Sequence, residues 1–219
     1  MKIAGERIGT KRLPYWTKRY EEQGERTVGH RSFDANKFKL KSLEAGKLLS
    51  EFLLEYDIIG SERILDYGCG HGRLSAILAP RFFAKVYGID IVPWAIEKAK
   101  EACPIGIFQV FDGLTIPFPD FFFDAALSWT VLQHIPPDEI ERACNELGRV
   151  ICPGGDLILY ENTSTWLEDA DHIWFRPPGQ YRDLFPGFNF AAMKVIPKAD
   201  DTPEEHSLIL LERLPSDDL

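Results

Sequence analysis

The chain contains no apolar run near the ~20 residues that a bilayer-spanning helix requires, so a membrane-spanning protein is not expected. Its first residues, Met1-Lys2-Ile3-Ala4-Gly5-Glu6-Arg7, lack the apolar stretch of a signal peptide, and none is expected. Cysteine is scarce. Cys69, Cys103, Cys144 and Cys152 show neither C-x-x-C pairing nor the spacing of a zinc site, so no metal is expected, and they read as core thiols in a reducing, cytoplasmic compartment. Positive charge is also in deficit: 25 Lys and Arg face 34 Asp and Glu, and a formal net charge of -9 argues against nucleic acid as the default partner. Repeats, low-complexity stretches and Gly/Ser linkers are absent, and nothing in the sequence signals an oligomeric state.

What is present is an ordinary globular composition, 45% hydrophobic and 27% charged over 219 residues, enough for one complete α/β domain with a good core. Charge is uneven. Lys11-Arg12 and Lys18-Arg19 make the N-terminal region basic, whereas Asp200-Asp201 and Glu204-Glu205 make the C-terminal end acidic. Two solvated faces account for this; a basic lid attracting an anionic substrate is the sharper alternative.

From Arg63 onward, short apolar runs alternate with helical patterns. Ile64-Leu65-Asp66-Tyr67 predicts a strand, followed by a helix carrying Leu74, Ile77 and Leu78. Lys85 to Asp90 predicts a second strand leading into a helix that Pro93 opens; Ile105 to Phe111 and Phe123 to Trp129 predict a third and a fourth. Residues 137–151 predict a helix with the stripe Ile140, Ala143, Cys144, Leu147 and Ile151, ended by Pro153-Gly154-Gly155 before a strand from Asp156 to Glu161. Ala191 to Ile196 and Ser207 to Leu214 predict an antiparallel hairpin, because so short a link cannot make a parallel crossover. The expected fold is α/β: a doubly wound, mostly parallel sheet with helices on both faces and a C-terminal antiparallel hairpin. Residues 1–59, with a helix over Leu40 to Tyr56, are expected to form an N-terminal helical cap or lid on a domain of residues 60–219.

The first strand runs into Asp66-x-Gly68-x-Gly70-x-Gly72 at a strand-to-helix turn, where glycines let the backbone approach a ligand closely. A dinucleotide fingerprint would place its third glycine at position 73, which is Arg, and this disfavours an NAD-dependent oxidoreductase. Asp90 closes the second strand and Asp112-Gly113 the third; Leu127 to Ile135, including Ser128, Trp129 and His134, closes the fourth, and Arg149 to Gly155 precedes the fifth. In this order, over about residues 60–162, the set resembles the class I (Rossmann-like, seven-stranded) S-adenosylmethionine (SAM)-dependent methyltransferases. The resemblance implies SAM as cofactor and S-adenosylhomocysteine as product. It further implies that Asp66 holds the glycine loop or the methionine amine, that Gly68, Cys69, Gly70 and Gly72 pass beneath the cofactor, and that Asp90 binds ribose. Ile91 would then pack on adenine, Asp112 and Gly113 meet the adenine amino group, and Ser128 and Trp129 lie near the methionine end, with Tyr20 closing over the cofactor. The plainer alternative for Asp66 and Asp90 is a strand-end carboxylate capping the next helix.

Methyl transfer from a sulfonium needs positioning more than acid–base help, so the fold names no catalytic residue by itself. Candidate bases are His134, just beyond the fourth strand, His30 in the cap and His172 after the fifth strand; a structural role for His134 and a surface position for the other two are the plainer readings. Residues 162–187, with Trp166, Trp174, Phe175, Tyr181, Phe185, Arg176 and Arg182, suit a substrate-side insertion, or equally a helix packed on the sheet. The expected function is transfer of a methyl group to an O or N of a small-molecule acceptor. A non-catalytic SAM-binding scaffold and a protein or RNA methyltransferase recruited through the basic N-terminus are the alternatives.

Overall fold

The computed structural model describes residues 12–28, 33–59, 62–79, 81–165, 172–196 and 204–215. Among the described residues seven strands form a mixed sheet in the order β3-β2-β1-β4-β5-β7-β6. They are β1 (Arg63–Tyr67), β2 (Lys85–Asp90), β3 (Ile107–Val110), β4 (Phe123–Trp129), β5 (Ile151–Asn162), β6 (Phe188–Ile196) and β7 (His206–Arg213). The helices are α1 (Arg12–Gln23), α2 (Ala35–Glu55), α3 (Ser75–Leu78), α4 (Pro93–Ala102), α5 (Ile140–Val150) and α6 (Pro178–Asp183). The chain divides into two compact units, with the boundary after Gly113.

In the first unit β1 pairs with β2 and β2 with β3, all parallel. Strand β2 is buried from Val86 to Ile89, as expected of a strand covered on both faces. The predicted third strand is trimmed at both ends, and Ile105 is exposed despite its apolar side chain. Helix α2 starts at Ala35 rather than Leu40, because Asp34 caps it: its Oδ1 accepts the Lys37 N–H at 2.8 Å. Helix α3 is only four residues long, and Ala79 still keeps helical backbone, donating to the Ser75 carbonyl. Pro93 opens α4 as predicted, with Ala95, Ile96 and Ala99 turned inward.

In the second unit β4 pairs parallel with β5, while β5–β7 and β7–β6 are antiparallel, which realises the expected hairpin. Helix α5 buries Ile140, Ala143, Cys144 and Leu147, but it starts at Ile140 rather than Pro137. Pro136 O instead accepts from the N–H groups of Glu139 and Ile140, so Pro137 and Asp138 sit in a turn ahead of the helix. Pro153-Gly154-Gly155 does not separate helix from strand. Strand β5 already begins at Ile151, opposite Phe123, and its register then breaks before Ala125 meets Asp156. The Pro-Gly-Gly run is a bulge inside the strand: Pro153 has no N–H to give the ladder, and Gly154 takes φ 76°. Ile151, assigned from periodicity to the helical stripe, is therefore a buried strand residue.

Candidate functional site

The glycine loop after β1 is held by backbone. The Gly68 and Cys69 N–H groups both donate to the Ile89 carbonyl, at 2.8 and 3.0 Å, which fastens the loop to the end of β2. Gly70 and Gly72 have φ of 54° and 79°, in the left-handed region that favours glycine. They face different neighbours. A Cβ on Gly72 would lie 2.8 Å from the Ala99 Cα, so α4 packs backbone to backbone against the loop. A Cβ on Gly70 would meet Val28 Cγ1 at 2.9 Å and the Tyr20 hydroxyl at 3.1 Å, both from the N-terminal segment. Cys69 is buried among Ile96, Ala99, Cys103 and Phe108, and burial raises its thiol well above the usual range.

Two carboxylates stand at this edge in different roles. Asp66 is buried, and its Oδ2 accepts the Ser75 hydroxyl at 2.5 Å, which ties β1 to the first residue of α3. Burial pushes it up to about 6, against the hydrogen bond from Ser75. Asp90 is partly exposed. Its Oδ2 accepts the Gly70 N–H at 3.0 Å and its Oδ1 the Val92 N–H at 2.9 Å, and burial of its surroundings pushes it up to about 6 as well. Neither carboxylate caps the following helix: Asp66 ties β1 to the Ser75 side chain, and Asp90 braces the glycine loop and the backbone of Val92 ahead of α4.

Helix α1 packs on the same edge. Tyr20 is buried with Val92 and Ala95, Ile91 joins that cluster, and the Tyr20 ring lies 5.1 Å from the Trp94 ring. Burial, and then the charge of Asp90, raise the Tyr20 hydroxyl well above its usual range. A cavity of about 390 Å³ lies between Thr17, Tyr20, Glu21 and Gly24 on one side and Val92 and Trp94 on the other. At the other end of α1, Arg12 is buried and its Nη2 donates to the Gly113 carbonyl at 2.8 Å. Arg12 is therefore not part of a solvated basic face, the role its position beside Lys11 suggested. Asp112 is exposed beside Gly113, whose φ is 80°.

The second unit holds Ser128, Trp129, His134 and His172; His30 and Trp166 lie outside the described residues. Sequence reasoning missed the centre of this region, the fully buried Glu161. Its Oε1 accepts the Ser128 hydroxyl at 3.0 Å and the N–H groups of Val131 and Leu132 at 3.1 and 3.0 Å; its Oε2 accepts the Gln133 N–H at 3.1 Å. Burial pushes Glu161 up to about 7, although these donors all favour the charged form. The 3-10 turn Leu132–His134 is therefore wound around a carboxylate. Buried Arg176 takes the carbonyls of the same turn, donating from Nη1 to Leu132 at 2.9 Å and from Nη2 to Ile135 at 2.6 Å. Tyr181 and Phe185 are buried, so the aromatic stretch in part packs as core, with Trp174 half-buried. Across β4, β5 and β7 the rings of Trp129, Tyr160 and His206 stand in a row, 4.1 and 5.0 Å apart and nearly parallel.

His134 follows directly on this turn. Its Nδ1 lies 2.5 Å from the His172 carbonyl, and its Nε2 lies 3.4 Å from Gln133 Nε2. His172 is half-buried rather than a plain surface residue, and its φ is 65°. Among the described residues no cluster of His, Cys, Asp and Glu suits a metal ion, and no helix is long and apolar enough to cross a membrane.

The residues at the first edge fit the SAM that the sequence motifs imply. Asp90, held at the end of β2 by the backbone of Gly70, Ile91 and Val92, is a carboxylate placed where a ribose hydroxyl can donate to it. Residues 65–159 match a family model described as a methyltransferase domain. The 2-methyl-6-phytyl-1,4-hydroquinone methyltransferase of Synechocystis sp. is 37% identical over 122 residues, covering 52% of this chain and 36% of that protein. A probable chloroplastic tocopherol O-methyltransferase of Oryza sativa subsp. japonica is 36% identical over 102 residues, covering 44% of this chain and 28% of that protein. The chain thus spans well under half the length of these curated relatives. A solved SAM-dependent methyltransferase of Leishmania major superposes with a TM-score of 0.76 at 17% identity, covering 93% of this chain and 82% of that one, a likeness of fold.

Proposed function

We propose that the chain, whose residues 65–159 match the methyltransferase-domain model, is a class I SAM-dependent methyltransferase that transfers a methyl group from SAM to an oxygen or nitrogen of a small-molecule acceptor. The observation that carries this reading is Asp90, a carboxylate set at the end of β2 by the backbone of Gly70, Ile91 and Val92 beside the glycine loop. When bound, SAM supplies a methyl group already activated on a sulfonium. The protein's part is to bind, orient and keep out water. Asp90 takes the ribose hydroxyls, Gly68, Cys69, Gly70 and Gly72 form the floor, and Asp66 holds that floor through Ser75. Ile91, Asp112 and Gly113 meet the adenine, Ser128 and Trp129 the methionine end, and Tyr20 closes from above. Residues 1–59 act as the cap and residues 60–219 as the methyltransferase domain, with 162–187 on the acceptor side. The relatives named for a hydroquinone and for tocopherol point to an acceptor of phenolic type. Buried thiols at Cys69, Cys103 and Cys144 suit a reducing, cytoplasmic setting.

Isothermal titration with SAM and S-adenosylhomocysteine tests the cofactor, and mass-detected methylation of a phenol and amine panel tests the transfer. Micromolar binding, lost in Asp90→Ala, together with a methylated product supports the reading. Absence of binding overturns it, and tight binding without turnover on any acceptor favours a non-catalytic scaffold.

A further inference from the structure

Of the twelve residues of α1 only Arg12 and Tyr20 are buried, and each stands on a loop of the first unit that the cofactor reading uses. Arg12 Nη2 donates to the Gly113 carbonyl beyond β3 at 2.8 Å. The Tyr20 hydroxyl stands over the glycine loop after β1, 3.1 Å from where a Cβ on Gly70 would lie. Between these points the Tyr20 ring packs on Val92 and Ala95, just after Asp90. Residues 12 and 20 lie about 12 Å apart along a helix that rises 1.5 Å per residue, so α1 spans the carboxyl ends of β1, β2 and β3. Arginine is seldom buried without a group to hold, and here that group is a backbone carbonyl 101 positions away in sequence.

The helix is also braced internally. Gly24, at φ 57°, follows its end, and the 3-10 turn Gly24–Val28 folds back so that the buried Thr27 hydroxyl donates to the Arg19 carbonyl at 3.0 Å. The same turn brings Val28 to the glycine loop beside Tyr20, 2.9 Å from the Cβ position at Gly70. The apolar cluster beneath is small: Tyr20, Val92 and Ala95 are buried, with Leu13, Trp16 and Val28 partly buried beside them. Segments with few buried apolar contacts open locally, at a free energy well below that of global unfolding. A helix anchored at two buried residues can therefore lift while the sheet stays folded.

We propose that α1 is a strap across the cofactor loops, latched at Gly113 by Arg12 and at Gly70 by Tyr20, and that cofactor enters and leaves when α1 lifts. This rests on the reading of the first unit as a SAM site. That reading gives Gly70 to the floor, Asp90 to the ribose and Gly113 to the adenine. Helix α1 reaches the first and the last of these directly and packs on the residues that follow the middle one. Cofactor touching those loops and α1 together stabilises the closed strap, and the closed strap strengthens cofactor binding by the same factor. Exchange then runs at the rate of opening rather than of encounter. S-adenosylhomocysteine occupies the same loops, so the opening of α1 sets how fast product leaves. Arg12 is a positioning residue here: it acts through Gly113 and α1 and touches no reacting atom.

Two measurements on the full chain test this. Hydrogen exchange of the parent, with and without saturating S-adenosylhomocysteine, reads α1 directly: the amides of residues 12–23 are expected to exchange about tenfold more slowly with it bound. Surface plasmon resonance on the tethered protein then gives the dissociation rate of S-adenosylhomocysteine. Arg12→Met keeps an unbranched apolar stem but donates nothing to Gly113. It is expected to release the ligand about tenfold faster, with faster amide exchange confined to residues 12–28. Arg12→Lys, which keeps a donor, is expected to fall between the two. Release from Arg12→Met within about twofold of the parent overturns the proposal, as does exchange in α1 that saturating ligand leaves unchanged. Where circular dichroism shows Arg12→Met to be unfolded, the exchange measurement on the parent decides. A parent that binds no S-adenosylhomocysteine overturns the cofactor reading and the strap with it, whereas the other two negative results leave that reading standing.

Discussion

Glu161 and Arg176 hold one turn by its opposite backbone polarities: the carboxylate accepts the N–H groups of Val131, Leu132 and Gln133, and the guanidinium donates to the carbonyls of Leu132 and Ile135. Neither charge depends on solvent for its partners, and the turn between them sets where His134 stands. Glu161→Gln replaces an acceptor by an amide whose NH2 must face backbone donors. It is expected to destabilise the fold by about 3 kcal/mol, the usual cost of breaking a buried ionic arrangement. Urea unfolding with an unchanged m-value reads this, and a loss below about 1 kcal/mol would show the clamp to be incidental.

Asp90 makes cofactor binding sensitive to acid. Its carboxyl is pushed up to about 6, and only the charged form offers both oxygens as acceptors. Affinity for S-adenosylhomocysteine is therefore expected to hold above pH 6 and to weaken toward about tenfold per pH unit below it. Calorimetric titration from pH 5 to 8 checks this, with Asp90→Asn expected to be weak and flat throughout.

The same carboxyls act on stability with a definite sign. A carboxyl raised in the fold binds its proton more tightly there than in the unfolded chain, so the contribution of Asp66, raised from 3.8 to about 6, falls as pH rises through that interval. Glu161 behaves alike between 4.5 and about 7. His71, lowered by burial from 6.5 to about 4, opposes them, its contribution rising with pH over that range. Asp66→Asn is expected to steepen the rise of Tm with pH between 4 and 6, a difference that parallel thermal melts would expose.

Gly72→Ala and Gly70→Ala are expected to fail differently. At Gly72 the added methyl meets the Ala99 backbone, and the left-handed φ is retained, so a loss of about 3 kcal/mol is expected. At Gly70 the obstructing atoms belong to the side chains of Val28 and Tyr20, which can move. A smaller loss is expected there, with faster amide exchange in α1 as the cap shifts. Paired melts and hydrogen exchange separate the two.

Much of this architecture is legible in the sequence because period and punctuation agree: the strands of the first unit, the stripe of α5 and the terminal hairpin all follow from apolar spacing. The misplaced boundaries share a cause. Asp34 moved the start of α2 through a side-chain cap, and Pro153-Gly154-Gly155, a breaker by composition, was absorbed as a bulge because β4 offered Ile151 a partner. Glu161 was invisible because its meaning lies in tertiary donors from a turn far away in sequence. Arg12 misled in the same way, a charge that reads as solvated until Gly113 supplies its acceptor.

The row of Trp129, Tyr160 and His206 has an optical consequence. An indole and a phenol held 4.1 Å apart and nearly parallel couple their electronic transitions, and the neighbouring imidazole, lowered by burial to about 4, stays uncharged through the neutral range. The near-ultraviolet circular dichroism of the protein should therefore carry a coupled band arising from β4, β5 and β7, one that Tyr160→Leu abolishes while the emission of Trp94 persists. Anything that wedges into or reorders that stretch of sheet would announce itself as a change of ellipticity, without a label.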